Sequence, residues 1–446
     1  MARRRKTLPA DPVSAHIDSL SHDGRGVAHL DGKAVFIDGA LPGEDVTFIY
    51  TGKHRNYDEG RVEAVVSPSA DRVTPRCSAA GVCGGCSLQH MDPAAQIRAK
   101  QGVLLENLKR IGGVAPETVL EPLTGPVWGY RHKARLGVKY VRRKGEVLVG
   151  FREKRKPFVA RIDTCEVLHP DVGYRLSDLA LLIDSLSIRA AVPQIEVAVG
   201  DSVTALVFRV LEAPGPEDLA SLKAFGCEYD MQIYLQPKGP ETVTLLWPES
   251  PEQARSLGYD LDDHRLTLQF RPTDFTQINP QINQTMTARA VELLQPAPQD
   301  RVLDLFCGLG NFTLPLARRA GRVTGVEGEA GLVQRARDNA AANGIDNVEF
   351  FTADLAGDVG AEPWLARDYD KVLLDPPRSG ARETLPLLAG RGPRRIVYVS
   401  CHPGSLARDA GELVANHGYR LAAAGVMDMF PHTAHVESIA LFLAPD

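Results

Sequence analysis

Asp304-Leu305-Phe306-Cys307-Gly308-Leu309-Gly310-Asn311-Phe312-Thr313 is the stretch on which the reading of this 446-residue chain turns. It joins a short apolar run, Arg301–Phe306, to a helical pattern over Asn311–Ala320, so it reads as strand, glycine turn and helix. Gly308 and Gly310 let the backbone pass close to a ligand while the helix opens at Asn311. A dinucleotide fingerprint needs a third glycine three residues after the second. Position 313 is threonine, which favours a phosphate-free ligand.

Working outward, strand and helix patterns alternate. Strands are expected at Arg322–Glu327, Asn347–Phe351, Lys371–Leu374 and Arg395–Ser400, with helices at Gly331–Asn343 and Leu406–Asn416. This is the signature of a doubly wound, mostly parallel α/β sheet. The runs Tyr419–Met427 and Val436–Leu443 are joined by a short loop and are expected to be antiparallel. Ligands of such sheets lie at the carboxyl ends of the strands. Glu327 ends the second strand, where it suits two ribose hydroxyls. Asp354 follows the third and suits an adenine amino group, and Asp375-Pro376-Pro377-Arg378 follows the fourth. Ordinary helix caps account for one such acid but not for three in register. The arrangement resembles the Rossmann-like class I S-adenosylmethionine methyltransferases.

Cys401 stands in Val399-Ser400-Cys401-His402-Pro403, just past the fifth strand. A cysteine after a buried strand is by itself commonly inert packing. Here Phe430-Pro431-His432-Thr433-Ala434-His435-Val436-Glu437 puts a glutamate on the same sheet edge, and the helix near Leu406 is expected to lower the thiol's pKa. One cysteine and one base facing a methyl donor is what methylation of uracil C5 requires. A thiolate adds to C6 to make C5 nucleophilic, and a base then removes the C5 proton. Asp304–Asn311, Asp375–Arg378, Ser400-Cys401 and His435-Val436-Glu437, in this order, resemble the RNA uracil-C5 methyltransferases, and Phe275-Thr276-Gln277-Ile278-Asn279 matches that family's entry to its catalytic domain. The resemblance implies that Gln277, Phe306, Asn311, Glu327, Asp354 and Asp375 contact S-adenosylmethionine, that Cys401 is the nucleophile and that Glu437 is the base. His402 departs from the family's usual asparagine. An amino-group methyltransferase would want an aromatic at position 378, which is Arg. DNA cytosine-C5 enzymes usually place Pro where this chain has Ser400. A non-catalytic RNA-binding module would not need Cys401, Glu437 and the glycine turn intact.

The remainder of the chain divides into two further domains. Short strands at Val13–Ile17, Gly26–Leu30, Lys33–Ile37, Asp45–Tyr50 and Gly60–Val66, separated by Gly- and Asp-bearing turns, suggest a small OB-like β-barrel within residues 8–66. This barrel resembles the TRAM domain, an RNA-binding module. Residues 67–274 form a central α+β domain of unresolved topology, and 275–446 the catalytic domain. Cys77, Cys83 and Cys86, with the distant Cys165, make four thiolates that suit zinc or an iron–sulfur cluster equally by spacing. The 23S rRNA branch of the family (the RumA/RlmD type) carries a [4Fe–4S] cluster on this pattern, and the resemblance therefore implies one here.

The net charge of −5 conceals a local excess of base. Between Trp128 and Arg161 twelve Lys/Arg oppose two Glu, a segment of net +10 that leaves −15 for the rest. It begins at Tyr130-Arg131-His132-Lys133-Ala134-Arg135, a candidate phosphate contact. The tRNA-modifying branch of the family typically lacks both barrel and cluster, so the resemblance to the 23S rRNA branch implies 23S rRNA as partner, at a site of the uracil-1939 type, with a tRNA uridine or another 23S uridine as the alternative. The basic start, Met1–Lys6, lacks a following apolar region, and no apolar run is long enough to span a membrane. With seven cysteines, an odd number, the expectation is a cytoplasmic monomer without membrane or protein partners.

Overall fold

A computed structural model describes residues 8, 11–357, 359, 360 and 362–445, which divide into two compact units. The basic residues read against a signal peptide lie outside the described residues.

The first unit comprises the chain up to Lys100, with Arg152–Phe158 and Phe430–His435. Its six strands are β1 (Val13–His16), β2 (Ser19–Leu20), β3 (Gly26–Leu30), β4 (Lys33–Asp38), β5 (Asp45–Lys53) and β6 (Tyr57–Ser67), in the order β1-β5-β6-β4-β3-β2. The five expected strands are present; β2 has only two residues and leaves no periodicity to read. Ala15, Ala28, Val35, Ile37, Val46 and Phe48 point inward at alternate positions and form one core, as the two-residue strand period demands. On β6 a Cβ at Gly60 would stand 2.4 Å from Phe48 Cδ2, so β6 crosses that ring only with glycine there. Cys77, Cys83 and Cys86 follow in a turn-rich loop of this unit.

Helix α1 (Pro93–Arg110) comes next, with Asp92 Oδ1 accepting from the amides of Ala94 (2.9 Å) and Ala95 (3.3 Å), an N-cap that satisfies two orphan donors. The second unit takes over within α1, at Gln101. After β7 (Thr118–Val119) it builds β8 (Lys133–Val141), β9 (Glu146–Gly150), α2 (Pro170–Gly173), α3 (Leu176–Ser185), β10 (Gln194–Val199), β11 (Thr204–Arg209), α4 (Pro216–Glu228), β12 (Met231–Gln236) and β13 (Thr244–Trp247). The stretch that was illegible in sequence is thus a six-stranded sheet, β13-β12-β11-β10-β8-β9, antiparallel except between β11 and β12. Helix α3 packs on β9 and α4 on β12.

The expected iron–sulfur character of this middle region is corrected. Among the described residues no group of three or more His, Cys, Asp or Glu side chains is arranged to hold a metal ion. A four-thiolate centre, cluster or zinc, needs all its sulfurs converging on one point. The Cys83 sulfur accepts from Gly85 N at 3.4 Å, and burial, with Cys77 nearby, pushes its thiol up rather than towards the thiolate.

A hairpin, β14 (Gly258–Leu261) and β15 (Leu266–Gln269), and helix α5 (Pro280–Leu294) lead into the last sheet. Its elements are β16 (Arg301–Leu305), α6 (Thr313–Ala317), β17 (Arg322–Glu327), α7 (Ala330–Ala342), β18 (Val348–Thr352), β19 (Lys371–Leu374), α8 (Leu385–Ala389), β20 (Arg395–Ser400), α9 (Pro403–His417), β21 (Arg420–Met427) and β22 (Glu437–Leu443). The order is β18-β17-β16-β19-β20-β22-β21-β7, parallel as far as β20. Strand β22 lies between β20 and β21, antiparallel to both, as expected for the closing pair. The chain leaves β16 for β17 on one side and returns as β19 on the other, so the switch point falls at the glycine turn. The helix after that turn is shorter than expected. It starts at Thr313, because Phe306, Gly308 and Gly310 take φ of +63°, +55° and +98° and the turn overruns its first residues.

Candidate functional site

The turn is held from below by Glu327 at the end of β17. One carboxylate oxygen accepts from Gly308 N and the other from Glu329 N, each at 3.1 Å. A Cβ at Gly308 would meet nothing within 4 Å, so the turn presents bare backbone to open space, as a ligand in close approach requires. Phe306 is half-buried in the turn, and Asp354, exposed after β18, accepts from Ala356 N at 3.1 Å. Gln277 is half-buried in the arm that leads into α5, two residues before Asn279 caps that helix.

Three carboxylates then crowd the switch point. Asp304 is fully buried on β16. Its Oδ2 accepts from the Thr313 hydroxyl at 2.5 Å, and its buried Oδ1 has no hydrogen-bond partner. Burial, with Asp375 and Glu327 adding repulsion, pushes the Asp304 carboxyl up to about 8. Burial and Glu327 likewise push Asp375, one residue past β19, up to about 7. Buried like charges raise one another's pKa in this way. An orphaned carboxylate oxygen among two further acids fits a ligand that brings positive charge, which a sulfonium does.

The antiparallel pairing of β20 and β22 ends at Ser400 opposite Ser438, so Cys401, one residue past β20, and Glu437, the first residue of β22, both adjoin that last pair. The Glu437 carboxylate acts on the Cys401 thiol from there. The Ser438 hydroxyl closes the ladder on Ser400 O at 3.2 Å, and Glu437 is buried. Burial, then the Glu437 and Asp375 carboxylates, push the Cys401 thiol up to about 11, against an opposing pull from Arg378. Burial and the two carboxylates thus outweigh whatever lowering the α9 N-terminus and Arg378 supply.

Helix α9 also fixes the neighbouring loop. His402 caps it, its Nδ1 accepting from Ser405 N at 3.1 Å. The Ser405 hydroxyl donates to Arg378 O at 2.6 Å, and Arg408 donates to Ser379 O at 2.8 Å. Asp409 accepts from Ala381 N at 2.9 Å and from the Tyr398 hydroxyl at 2.7 Å. The Asp-Pro-Pro-Arg loop is thus strapped down where Arg378 acts on the cysteine. Of the residues singled out in sequence, Glu327 acts electrostatically on Asp375, and Glu437 and Asp375 both act on Cys401. The contacts that Thr313 and Arg378 make here, and the strapping residues of α9, escaped notice, because no motif spacing links them to the strand ends.

Comparison with known proteins places this geometry. The family model described as tRNA (Uracil-5-)-methyltransferase matches residues 256–358 and 365–444, and the TRAM domain model matches 13–62. The chain is 57% identical over 442 residues to the 23S rRNA (uracil(1939)-C(5))-methyltransferase RlmD of Alkalilimnicola ehrlichii, with 99% of each covered. It is 55% identical over 439 residues to the protein of the same description from Methylococcus capsulatus, with 98% of each covered. Among solved structures, the Pyrococcus abyssi tRNA (uracil-54, C5)-methyltransferase in complex with S-adenosyl-L-homocysteine superposes with a TM-score of 0.72 at 24% identity. The match covers 97% of this chain and 100% of that one, a likeness of fold.

Proposed function

The chain belongs to the 23S rRNA (uracil(1939)-C(5))-methyltransferase RlmD family, and we propose that it methylates C5 of a uridine of the 1939 type in 23S rRNA, using S-adenosylmethionine and acting in the cytoplasm as a monomer. The observation that carries the reading is that Cys401 and Glu437 adjoin the last pair of β20 and β22, with the Glu437 and Asp375 carboxylates both acting on the thiol. The donor supplies an electrophilic methyl group. The chain's residues do the rest.

The Cys401 sulfur, once deprotonated, forms a bond to uracil C6, and the electron pair moved to C5 takes up the methyl group, whose bond to sulfur breaks to leave a neutral thioether. C5 then carries both methyl and hydrogen. Glu437 removes that proton, the C5–C6 double bond re-forms, and the C6–S bond breaks to return the thiolate. The TRAM match at residues 13–62 supports an RNA substrate. Exposed bases along β8 and its turn, Arg135, Lys139, Arg142, Arg143 and Lys144, suit its phosphates. A uracil entering such a site must be unstacked, so the target is a loop or an RNA opened by the protein. Gln277, Phe306, Asn311 and Asp354 line our proposed donor site with Glu327 and Asp375.

The test supplies labelled methyl donor with unmodified 23S rRNA and with tRNA. Label in 23S rRNA alone is the expected result. Label in tRNA alone would establish the other substrate, and label in neither would overturn the reading. A 23S fragment carrying 5-fluorouridine at the target should trap a covalent adduct with the wild-type protein and none with Cys401→Ala, since fluorine does not leave as a proton.

A further inference from the structure

The glycine turn carries three left-handed residues within five positions, one of them Phe306. A left-handed non-glycine residue costs roughly 1–2 kcal/mol, so the turn keeps its shape only if its surroundings hold it. Asn311, at its far end, has its side-chain amide engaged. Its Oδ1 accepts from the Tyr259 hydroxyl at 2.8 Å and from Asn283 Nδ2 at 3.0 Å, while its Nδ2 donates to Asn283 Oδ1 at 2.8 Å. Asn283 comes from α5 and Tyr259 from β14, and both are buried.

A second amide grips the same turn two residues earlier. Asn339 of α7 donates to Leu309 O at 3.2 Å. It also pairs with the edge of β15 as a strand would, donating to Gln269 O at 3.1 Å and accepting from Gln269 N at 2.8 Å. The hairpin, α5 and α7 thus all reach the turn through side chains, none of which the glycine motif contains. The arm 270–279, which carries Gln277, runs between β15 and α5 and is anchored at both ends by this set.

We infer that Tyr259, Asn283 and Asn339 are positioning residues of the methyl-donor site, a clasp that holds the left-handed turn and the Gln277 arm in their binding shape before the donor arrives. The inference rests on the reading of the turn as the donor site. Preorganisation of this kind acts on affinity, since an unclasped turn must be ordered when the ligand binds. The clasp touches neither Cys401 nor Glu437, so the chemical step stays nearly intact once the donor is saturating.

The experiment measures S-adenosylhomocysteine binding by calorimetry on the full chain, with hydrogen exchange of the peptide spanning 306–311. Asn283→Ala is expected to raise Kd by roughly tenfold or more and to speed exchange of that peptide, with peptides of β20 and β22 unchanged. The donor KM should rise in step while kcat stays within about threefold. Tyr259→Phe and Asn283→Asp, which keeps the acceptor for Asn311 Nδ2 but loses the donor to its Oδ1, should fall between wild type and Asn283→Ala. They keep the test open if the alanine variant does not fold. Unchanged affinity and turn exchange in Tyr259→Phe and Asn283→Asp would overturn the clasp. Failure of the wild type to bind S-adenosylhomocysteine would instead overturn the reading of the site.

Discussion

The Thr313 hydroxyl donates to Asp304 at 2.5 Å, while the other oxygen of this fully buried carboxyl finds no partner. With Glu327 and Asp375 close by, a carboxyl so placed keeps its proton to about 8. The unfolded chain releases that proton near 3.8. Between these limits the native state holds a proton that the unfolded state has lost, so this contribution to stability is complete at low pH and disappears as pH rises through 8. Asp375, raised to about 7, acts in the same direction. The melting temperature of the ligand-free protein is therefore expected to fall as pH rises from about 4 to about 8, and Asp304→Asn should flatten that fall. Affinity for the sulfonium donor should run the opposite way, rising with pH as the carboxyls ionise, with a weaker rise for the neutral thioether product. Equal pH slopes for donor and product would refute this account.

Cys401, our proposed nucleophile, is not activated in the ligand-free chain. At about 11 it is protonated at neutral pH, because burial and the Glu437 and Asp375 carboxylates outweigh Arg378. Alkylation of Cys401 by iodoacetamide, followed by peptide mass spectrometry, should be slow at pH 8 and still rising at pH 10. Glu437→Gln removes the second-largest cause of the shift, so alkylation should quicken even as methylation stops. Cys401→Ala should lower turnover by roughly 10⁴-fold or more and leave S-adenosylhomocysteine binding intact. An alkylation rate that Glu437→Gln leaves unchanged would separate the two residues.

Asp409 joins Tyr398, Ala381 and Arg408 beneath the loop that carries Arg378. Its removal strands a buried hydroxyl and a buried amide, each left without an acceptor. Asp409→Ala should destabilise the protein by about 2–4 kcal/mol in urea denaturation, and Asp409→Asn by less. Both should reduce turnover by loosening the Asp375–Ala381 loop.

The parts of the site that a one-dimensional pattern carries were legible. Strand ends with acids, Cys401 past β20 and Glu437 opening β22 all follow from apolar runs and their flanks, and the Ser400–Ser438 pair brings the last two to one end of the same ladder. What escaped depends on contacts between distant segments. Asn283 and Asn339 read as ordinary polar residues of amphipathic helices, and only the fold brings them to the glycine turn. The overlong α6 came from taking Asn311 as a helix start when three left-handed residues precede it. The metal expectation rested on cysteine spacing and resemblance, neither of which tests whether four sulfurs converge. The central sheet was illegible because β10 is buried at nearly every position, which removes the alternation that marks a strand.

Gly308 allows a direct test of the turn as the donor's backbone cradle. Gly308→Ala meets no atom within 4 Å, so its cost to the free protein is that of a left-handed alanine at φ +55°, about 1–2 kcal/mol. Any larger loss in donor affinity must come from the methyl group standing where the ligand lies. Thermal unfolding with and without S-adenosylhomocysteine separates the two. The ligand-free melting temperature should drop modestly, while the ligand-induced rise seen in wild type should be largely lost. A full ligand-induced rise in Gly308→Ala would place the donor elsewhere on the sheet.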